Sequence, residues 1–447
     1  MPLALSDLTQ ALLDEARKAG AEAADALAVR SSSLSISTRA GQLEQADRSE
    51  STEIGLRVLI GGRQACVSAS DISARTRQEL AERAVAMARE APEDRHAGLA
   101  EPGQLSTRRD AGALDLADVG PEPQADALQR DAERAEAAAM ARTGIVQCES
   151  GAGWARNEIF LAASNGFAGG YARTSRSSQI IAFTGSGTGM ERDWAGESRI
   201  HTADMPAPEE IGALAAERTL ARAGAVKPPT GVYPVVFDER IAASLIGHFL
   251  QAVNGDAIAR GASWARDLLG MQVLPRGLSV IEDPLRPRTA LSRPFDGEGL
   301  ATRRRLIVDD GILTGWTLDL ATGRRLGMES TASAVRGTGA PPSPATTNID
   351  LTLGGDTREA LVSSMGTGLL VTSMIGSTIN PTTGDYSRGA SGFWVEGGEI
   401  RHPVHECTIA GNLRDMLLRI IPANDARAHL STRVPSILIE GMTLAGK

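Results

Sequence analysis

With 447 residues, 42% of them hydrophobic and 23% charged, the chain has ample apolar material for two or three packed domains. A formal net charge of −9 argues against a nucleic-acid binder, which carries a basic footprint. No run of about 18 apolar residues exists to span a bilayer, and three widely separated cysteines, Cys66, Cys148 and Cys407, match no zinc module and fit a reducing cytoplasm.

The opening MPLALSDLTQALLDEARKAG has neither a basic leader nor a sustained apolar stretch. It predicts an amphipathic helix capped by Ser6 and stopped at Gly20, not a signal peptide. Residues 33–70 alternate in short runs and predict antiparallel strands with hairpins at Ala40-Gly41 and Gly61-Gly62. A second helix, about Ser73 to Ala91, carries Leu80, Ala84 and Met87 at helical spacing. Residues 92–121 are rich in Pro, Gly and Asp and predict a long connection; 122–142 predict an Ala/Glu/Arg helix. Strands return over 145–204, with turn signals at Asn165-Gly166 and Gly169-Gly170. APEEIGALAAERTLARAGA, 207–225, is a helix pattern with Pro208 and two glutamates in its first turn. VKPPTG, 226–231, reads as a boundary.

VYPVVFD then predicts a strand, with Asp238 capping a helix that holds His248. Beyond residue 270 short strands and Gly turns imply a closed or strongly curved antiparallel sheet, interrupted by short helices after Asp356 and Asn412. The triplet Arg303-Arg304-Arg305 reads as a solvated strand edge. The expected fold class is α+β and two-lobed. Residues 1–121 and 122–226 form α+β sub-lobes, and 227–447 form a β-rich, barrel-like domain with a few helices.

Four stretches could carry chemistry. A helical zinc site needs two donors about one turn apart and an adjacent carboxylate. Around His248 the candidate positions hold Ala243, Ser244, Ala252 and Val253, and Phe249 stands where a glutamate base would be. Ile241, Leu245, His248 and Ala252 instead share one helical face, so a core or cleft residue is expected. HPVHEC, 402–407, gathers His402, His405, Glu406 and Cys407, all competent ligand or nucleophile types. On a regular strand His405 and Cys407 would share a face and Glu406 would oppose them. A metal site from His248, His402, His405 and Cys407 is therefore the weaker alternative. GSGTG, 185–189, opens no clear helix, and GGDTREALV, 354–362, lacks the P-loop lysine, so nucleotide binding has little support. GDYSRGASGFWVEGGEI, 384–400, concentrates three of the fifteen aromatics. Asp385, Tyr386, Ser387, Arg388, Gly389, Phe393 and Trp394 could receive an extended peptide by strand addition. They could equally form a hairpin with an aromatic core plug.

The chain resembles the TldD/PmbA family, and specifically its PmbA (TldE) branch. The resemblance rests on GLLVTSMIGSTINPTTGDYSRGASGFWVEGGEI (368–400), HPVHECTIAGNLRDML (402–417), AASLIGHFLQAVNGDAIARGASW (242–264) and FDGEGLATRRRLIVDDGIL (295–313), and it extends from the first helix to PSILIEGMTLAGK. It implies an α+β N-terminal region followed by a barrel-like C-terminal region. It also implies a role in a cytoplasmic metallopeptidase acting on unfolded or extended peptides, of the kind that matures microcins and modulates DNA gyrase through an antitoxin. In the TldD branch a helix with HExxxH and a distant cysteine hold zinc; the matching helix here has no HExxxH in any register. The resemblance thus implies a subunit without its own catalytic residues or cofactor, with zinc in a TldD-like partner. The alternatives are an autonomous enzyme with an atypical His/Cys site, or a homodimeric peptide-binding regulator that cuts nothing.

Overall fold

The computed structural model describes residues 3–447. Helix α1 (Leu5–Ala19) buries Leu5, Leu8, Leu12 and Ala16, a stripe at helical spacing. It ends on Gly20 at φ 99°, the left-handed cap expected there. Its N-cap is Ala4, not Ser6: the helix starts two residues earlier than expected and takes the buried Leu5 into its first turn. Strands β1 (Ala23–Arg39), β2 (Gln42–Ile60) and β3 (Arg63–Ala69) follow as consecutive hairpins, and both turns fall where expected, with Ala40, Gly41, Gly61 and Gly62 all at positive φ. β1 begins ten residues before the first expected strand, within the alanine-rich AADALAVR. Helix α2 (Ala74–Glu90) is capped by the Ser73 hydroxyl.

After the long connection come α3 (Ala125–Met140), β4 (Ile145–Ala163), β5 (Ala168–Thr184), β6 (Glu191–Arg199) and α4 (Pro208–Ala221). Gly169-Gly170 is not a turn; both lie inside β5, where a Cβ on Gly170 would stand 2.5 Å from the Ile159 carbonyl oxygen. β1 pairs with β4 along nearly its whole length, so the two expected sub-lobes share one antiparallel sheet in the order β3-β2-β1-β4-β5-β6. α1 and α2 cover one half of that sheet over Ala24, Ala26 and Ala28; α3 and α4 serve the other half over Cys148, Ile180 and Ala182. The small alanines let helix and strand backbones approach closely.

The C-terminal lobe is built on β7 (Gly231–Phe237), helix α5 (Glu239–Ala252), β8 (Gly368–Ile379), β9 (Asp385–Glu396), β10 (Glu399–Asn412) and β11 (Ile437–Ala445). The sheet closes on itself: β7 pairs with β8, β8 with β9, β9 with β10, β10 with β11, and β11 with β7. Four of those pairings are antiparallel and β7–β8 is parallel. Closure removes free edges. Val235 and Phe237 enter the interior with Leu369, Tyr386, Trp394 and Ile409. Val236 faces outward beneath the short helix Arg358–Ser364, so both faces of β7 are buried and its sequence reads as an unbroken apolar run. That short helix is capped by Thr357 rather than Asp356; Asn412 caps Leu413–Leu417 as expected. A smaller sheet of short strands, including 280–282, 305–309 and 349–351, adjoins the same core.

The connection 92–121 is threaded between the lobes. Ser106 N donates to the Gly299 carbonyl, Arg288 N to Leu114, and Arg324 reaches the carbonyls of His96 and Leu99. Part of its polar backbone is therefore satisfied by the C-terminal lobe, although in sequence it only joins α2 to α3.

Candidate functional site

Helix α5 follows β7 directly, and Asp238 caps it by accepting from Arg240 N. Burial pushes the Asp238 carboxyl up, but Arg240 and Arg358 outweigh that and hold it below the usual carboxylate range. The helix buries Ala242, Leu245, Ile246, Phe249 and Ala252 in the barrel core. His248 lies at the edge of this face, half-buried, with its ring edge-on to Tyr386 at 6.2 Å. It borders a cavity of about 350 Å³ shared with Gln251, Trp264, Ile379 and Pro381. Burial, and then the Arg388 guanidinium, push its imidazole below the ordinary histidine value, and its Nε2 meets no acceptor in the protein.

The HPVHEC stretch lies on β10, but its alternation is broken. Glu406 takes φ 47°, and the register against β9 slips between Ala390 and Gly392. This β-bulge turns Val404 and Cys407 into the barrel together, three residues apart. His405 instead meets Glu191 of β6, Nδ1 to Oε1 at 2.8 Å. His405 and Cys407 thus turn to different partners, although both, with Glu406, border the interlobe cleft. The Cys407 thiol donates to the Ala390 carbonyl, and burial pushes its pKa up to about 11. A thiol so held is a weak nucleophile at neutral pH.

His405 nevertheless belongs to a cleft of about 800 Å³ between β6 of the N-terminal sheet and strands β8, β9 and β10 of the barrel. Trp194, Met190 and Ile375 are its exposed apolar groups. Its polar floor is a chain of charges across the lobes. Glu191 pairs with His405 and Arg222, Arg222 approaches Asp193, and Asp193 pairs with Arg240 of α5. Nothing in the local sequence signals this chain, because Glu191, Arg222 and Arg240 belong to separate elements.

The residues of 385–394 part company in the barrel wall. Tyr386 and Trp394 point inward; Trp394 packs edge-on to Tyr233 at 5.0 Å, and burial pushes the Tyr386 phenol up to about 12. Phe393 packs outward under the helix Arg358–Ser364. Asp385 is a turn residue, its carboxylate accepting from Thr383 Oγ1 at 2.6 Å and Asn412 Nδ2 at 3.1 Å. Those bonds hold it below the ordinary carboxylate value. Arg388 Nε donates to the Gly376 carbonyl. Gly389 lines the interlobe cleft and Ser387 is half-buried in the strand. Because β9 is paired on both sides, it offers no edge for strand addition, and its aromatics plug the core.

Comparison with known proteins places this geometry. Models of the PmbA/TldA metallopeptidase family match three segments: domain 1 over residues 24–88, the central domain over 116–223 and the C-terminal domain over 230–446. The Escherichia coli O157:H7 metalloprotease PmbA is 34% identical over 431 residues, covering 95% of this chain and 93% of that protein. The chain belongs to the PmbA/TldD metallopeptidase family. Among solved structures, a Bacteroides thetaiotaomicron protein described as a candidate modulator of DNA gyrase superposes with a TM-score of 0.91 at 25% identity, covering 99% of this chain and 98% of that one. TldE from Thermococcus kodakarensis shares the fold, with a TM-score of 0.85 at 18% identity and coverage of 98% and 99%.

A PmbA/TldD chain invites the question of zinc. The donors on α5 do not fit the ion: His248 is the only imidazole on the helix, and Ser244 and Ala252 stand one turn to either side. The alternative quartet is not gathered either. His248 faces Tyr386, His405 faces Glu191, Cys407 bonds Ala390, and His402 stands opposite Trp394 in the strand register. Among the described residues no three His, Cys, Asp or Glu side chains converge as a metal requires.

Proposed function

We propose that this chain is the PmbA/TldE-type subunit of a heteromeric cytoplasmic metallopeptidase, with zinc and the general base supplied by a TldD-like partner. The observation that carries this reading is the donor deficit on α5: one neutral imidazole with no carboxylate or second ligand within a turn. The 34% identity to a metalloprotease PmbA supports the family role. In this reading the chain supplies a wall of the reaction chamber and contacts to an extended peptide. The interlobe cleft, with apolar Trp194, Met190 and Ile375 beside the Glu191–His405 pair, suits an extended segment better than β9 does.

The test is reconstitution. Peptidase activity on an unfolded polypeptide should need both this chain and a TldD-like chain, and should survive His248→Ala in this one. Stoichiometric zinc and peptidase activity in this chain alone would overturn the reading. Tight binding of an uncut peptide without any TldD-like chain, and no gain on adding one, would replace it with the homodimeric regulator.

A further inference from the structure

A second cavity, of about 420 Å³, lies between the lobes away from the cleft. That is the size of a small-ligand pocket. Its apolar side comes from Leu27, Ile159, Leu161 and Tyr171 of the N-terminal sheet and Phe295 of the other lobe. Its cationic side is Arg173 of β5 with Arg293 and Arg336 of the C-terminal lobe.

The partners of these arginines are mostly neutral. Arg173 Nη2 donates to the Ser292 carbonyl at 2.6 Å, and Arg293 gives Nη1 and Nη2 to the carbonyls of Ala334 and Ala345 at 2.9 and 3.3 Å. Among the described residues neither forms an ion pair. Arg336 pairs with Asp25, but Asp25 also serves Arg57, so one carboxylate answers two guanidiniums. Arg293 is 7% exposed and the Arg336 side chain 2%. Nε of Arg173 and Arg293, and both Nε and Nη2 of Arg336, find no acceptor in the protein. Two carboxylates border the cavity. Asp296 feels the Arg293 charge but forms no ion pair with it, its oxygens accepting instead from the backbone N–H groups of Glu298, Leu300 and Ala334, and Glu53 is exposed. Buried guanidinium groups without a counter-ion are unfavourable, and the fork of an arginine matches a carboxylate.

We propose that this cavity binds a small carboxylate with an apolar body about the size of a leucine side chain. The guanidinium groups take the carboxylate and the apolar side takes the body. The ligand touches both lobes and so stabilises their docking. The carboxylate belongs either to the C-terminal residue of a peptide or to a free acid, and the two sources are separable.

The experiment is calorimetric titration and thermal unfolding of the full chain with 4-methylpentanoate, with the dipeptide Ala-Leu, and with the primary amide of each. The site predicts that the acids bind and raise Tm, and that each amide binds at least roughly tenfold more weakly. Tighter Ala-Leu assigns the site to peptide C-termini; tighter 4-methylpentanoate assigns it to free acids. Arg173→Met should weaken the acids by roughly tenfold or more, and Arg173→Lys by less, because lysine keeps the charge and loses the fork. Arg293→Met is a second variant, used if Arg173→Met fails to fold. Equal binding of acid and amide, no binding of either acid at roughly 10 mM, or wild-type affinity in a folded Arg173→Met protein overturns the proposal.

Discussion

The two lobes meet along two seams of opposite character. In one, Asp25 of β1 sits between Arg57 of β2 and Arg336 of the C-terminal lobe, each side chain 2–3% exposed. Gly55 lies in the same seam, and a Cβ there would stand 2.1 Å from the Thr338 carbonyl oxygen. In the other, β6 faces the second lobe through Glu191–His405, Glu197–Arg427 and Glu197–His429, with the C-terminal partners 26–32% exposed, above one buried pair, Asp193–Arg240. A dry seam fixes how the lobes dock, since unpairing a buried charge is far more costly than losing a solvated one. The solvated pairs of the second, wet seam can part for a ligand at small cost while Asp193–Arg240 stays in place. The open cleft lies on the wet seam, which agrees with a peptide entering there.

The largest expected effect breaks the dry seam. Asp25→Asn leaves the buried Arg57 and Arg336 without the carboxylate they share and should lower stability by about 3–5 kcal/mol in urea unfolding. Arg336→Met should be milder, because Asp25 keeps Arg57. A loss below about 1 kcal/mol for Asp25→Asn would mean that this seam does not hold the lobes. Burial pushes the Asp25 carboxyl up, but Arg336 and Arg57 together hold it below the ordinary carboxylate value. Its contribution is therefore present above about pH 4 and disappears as the pH falls through the lowered folded value.

Next to that seam the sign reverses. Burial, with Asp296 and Asp319 nearby, pushes the Glu298 carboxyl well above the ordinary carboxylate value. Such a group favours the folded state below about pH 4.5, and that contribution is lost as the pH rises towards the folded value. Glu298→Gln keeps an acceptor for Leu320 N and removes the titration. It should gain about 1 kcal/mol at pH 8 and nothing at pH 4. Equal Tm shifts at the two pH values would contradict the assignment.

On the wet seam the effect shrinks. His405→Ala should cost about 1 kcal/mol or less, because its contact with Glu191 is partly open to solvent. A loss as large as that of Asp25→Asn would abolish the distinction between the seams.

Much of this architecture could be read from the residues. The turns at Ala40-Gly41 and Gly61-Gly62 carry their own chemistry, and so do the caps Ser73, Asp238 and Asn412. The donor deficit around His248 was countable without coordinates. Other features depended on tertiary contacts. The start of β1 was hidden because alanine favours helices when context is ignored. Gly169-Gly170 looked like a turn because close backbone approach and turning use the same residue. The slip at Glu406, which gives His405 and Cys407 different partners, follows from pairing with β9 and not from the hexapeptide itself. Neither seam was legible, since Asp25 and Arg336, or Glu191 and His405, are joined only when two lobes distant in sequence dock.

The smallest effect separates the cleft from the barrel. His248 lies on neither seam, and burial and Arg388 hold its imidazole below 6.5. Folding therefore favours the neutral ring: the unfolded chain binds the extra proton first, so stability is fully present above about pH 6.5 and declines as the pH falls through the lowered folded value. Arg388→Met removes the second of the two causes and should move the His248 resonance, followed by NMR titration, back towards the ordinary value without changing its sign, because burial remains. His248→Gln should flatten the dependence of Tm on pH between about 5 and 6.5, whereas His405→Ala should leave the His248 titration in place. If the His248 resonance titrates at or above 6.5 in the wild-type chain, burial and Arg388 do not disfavour the protonated ring, and this pH dependence of stability is refuted.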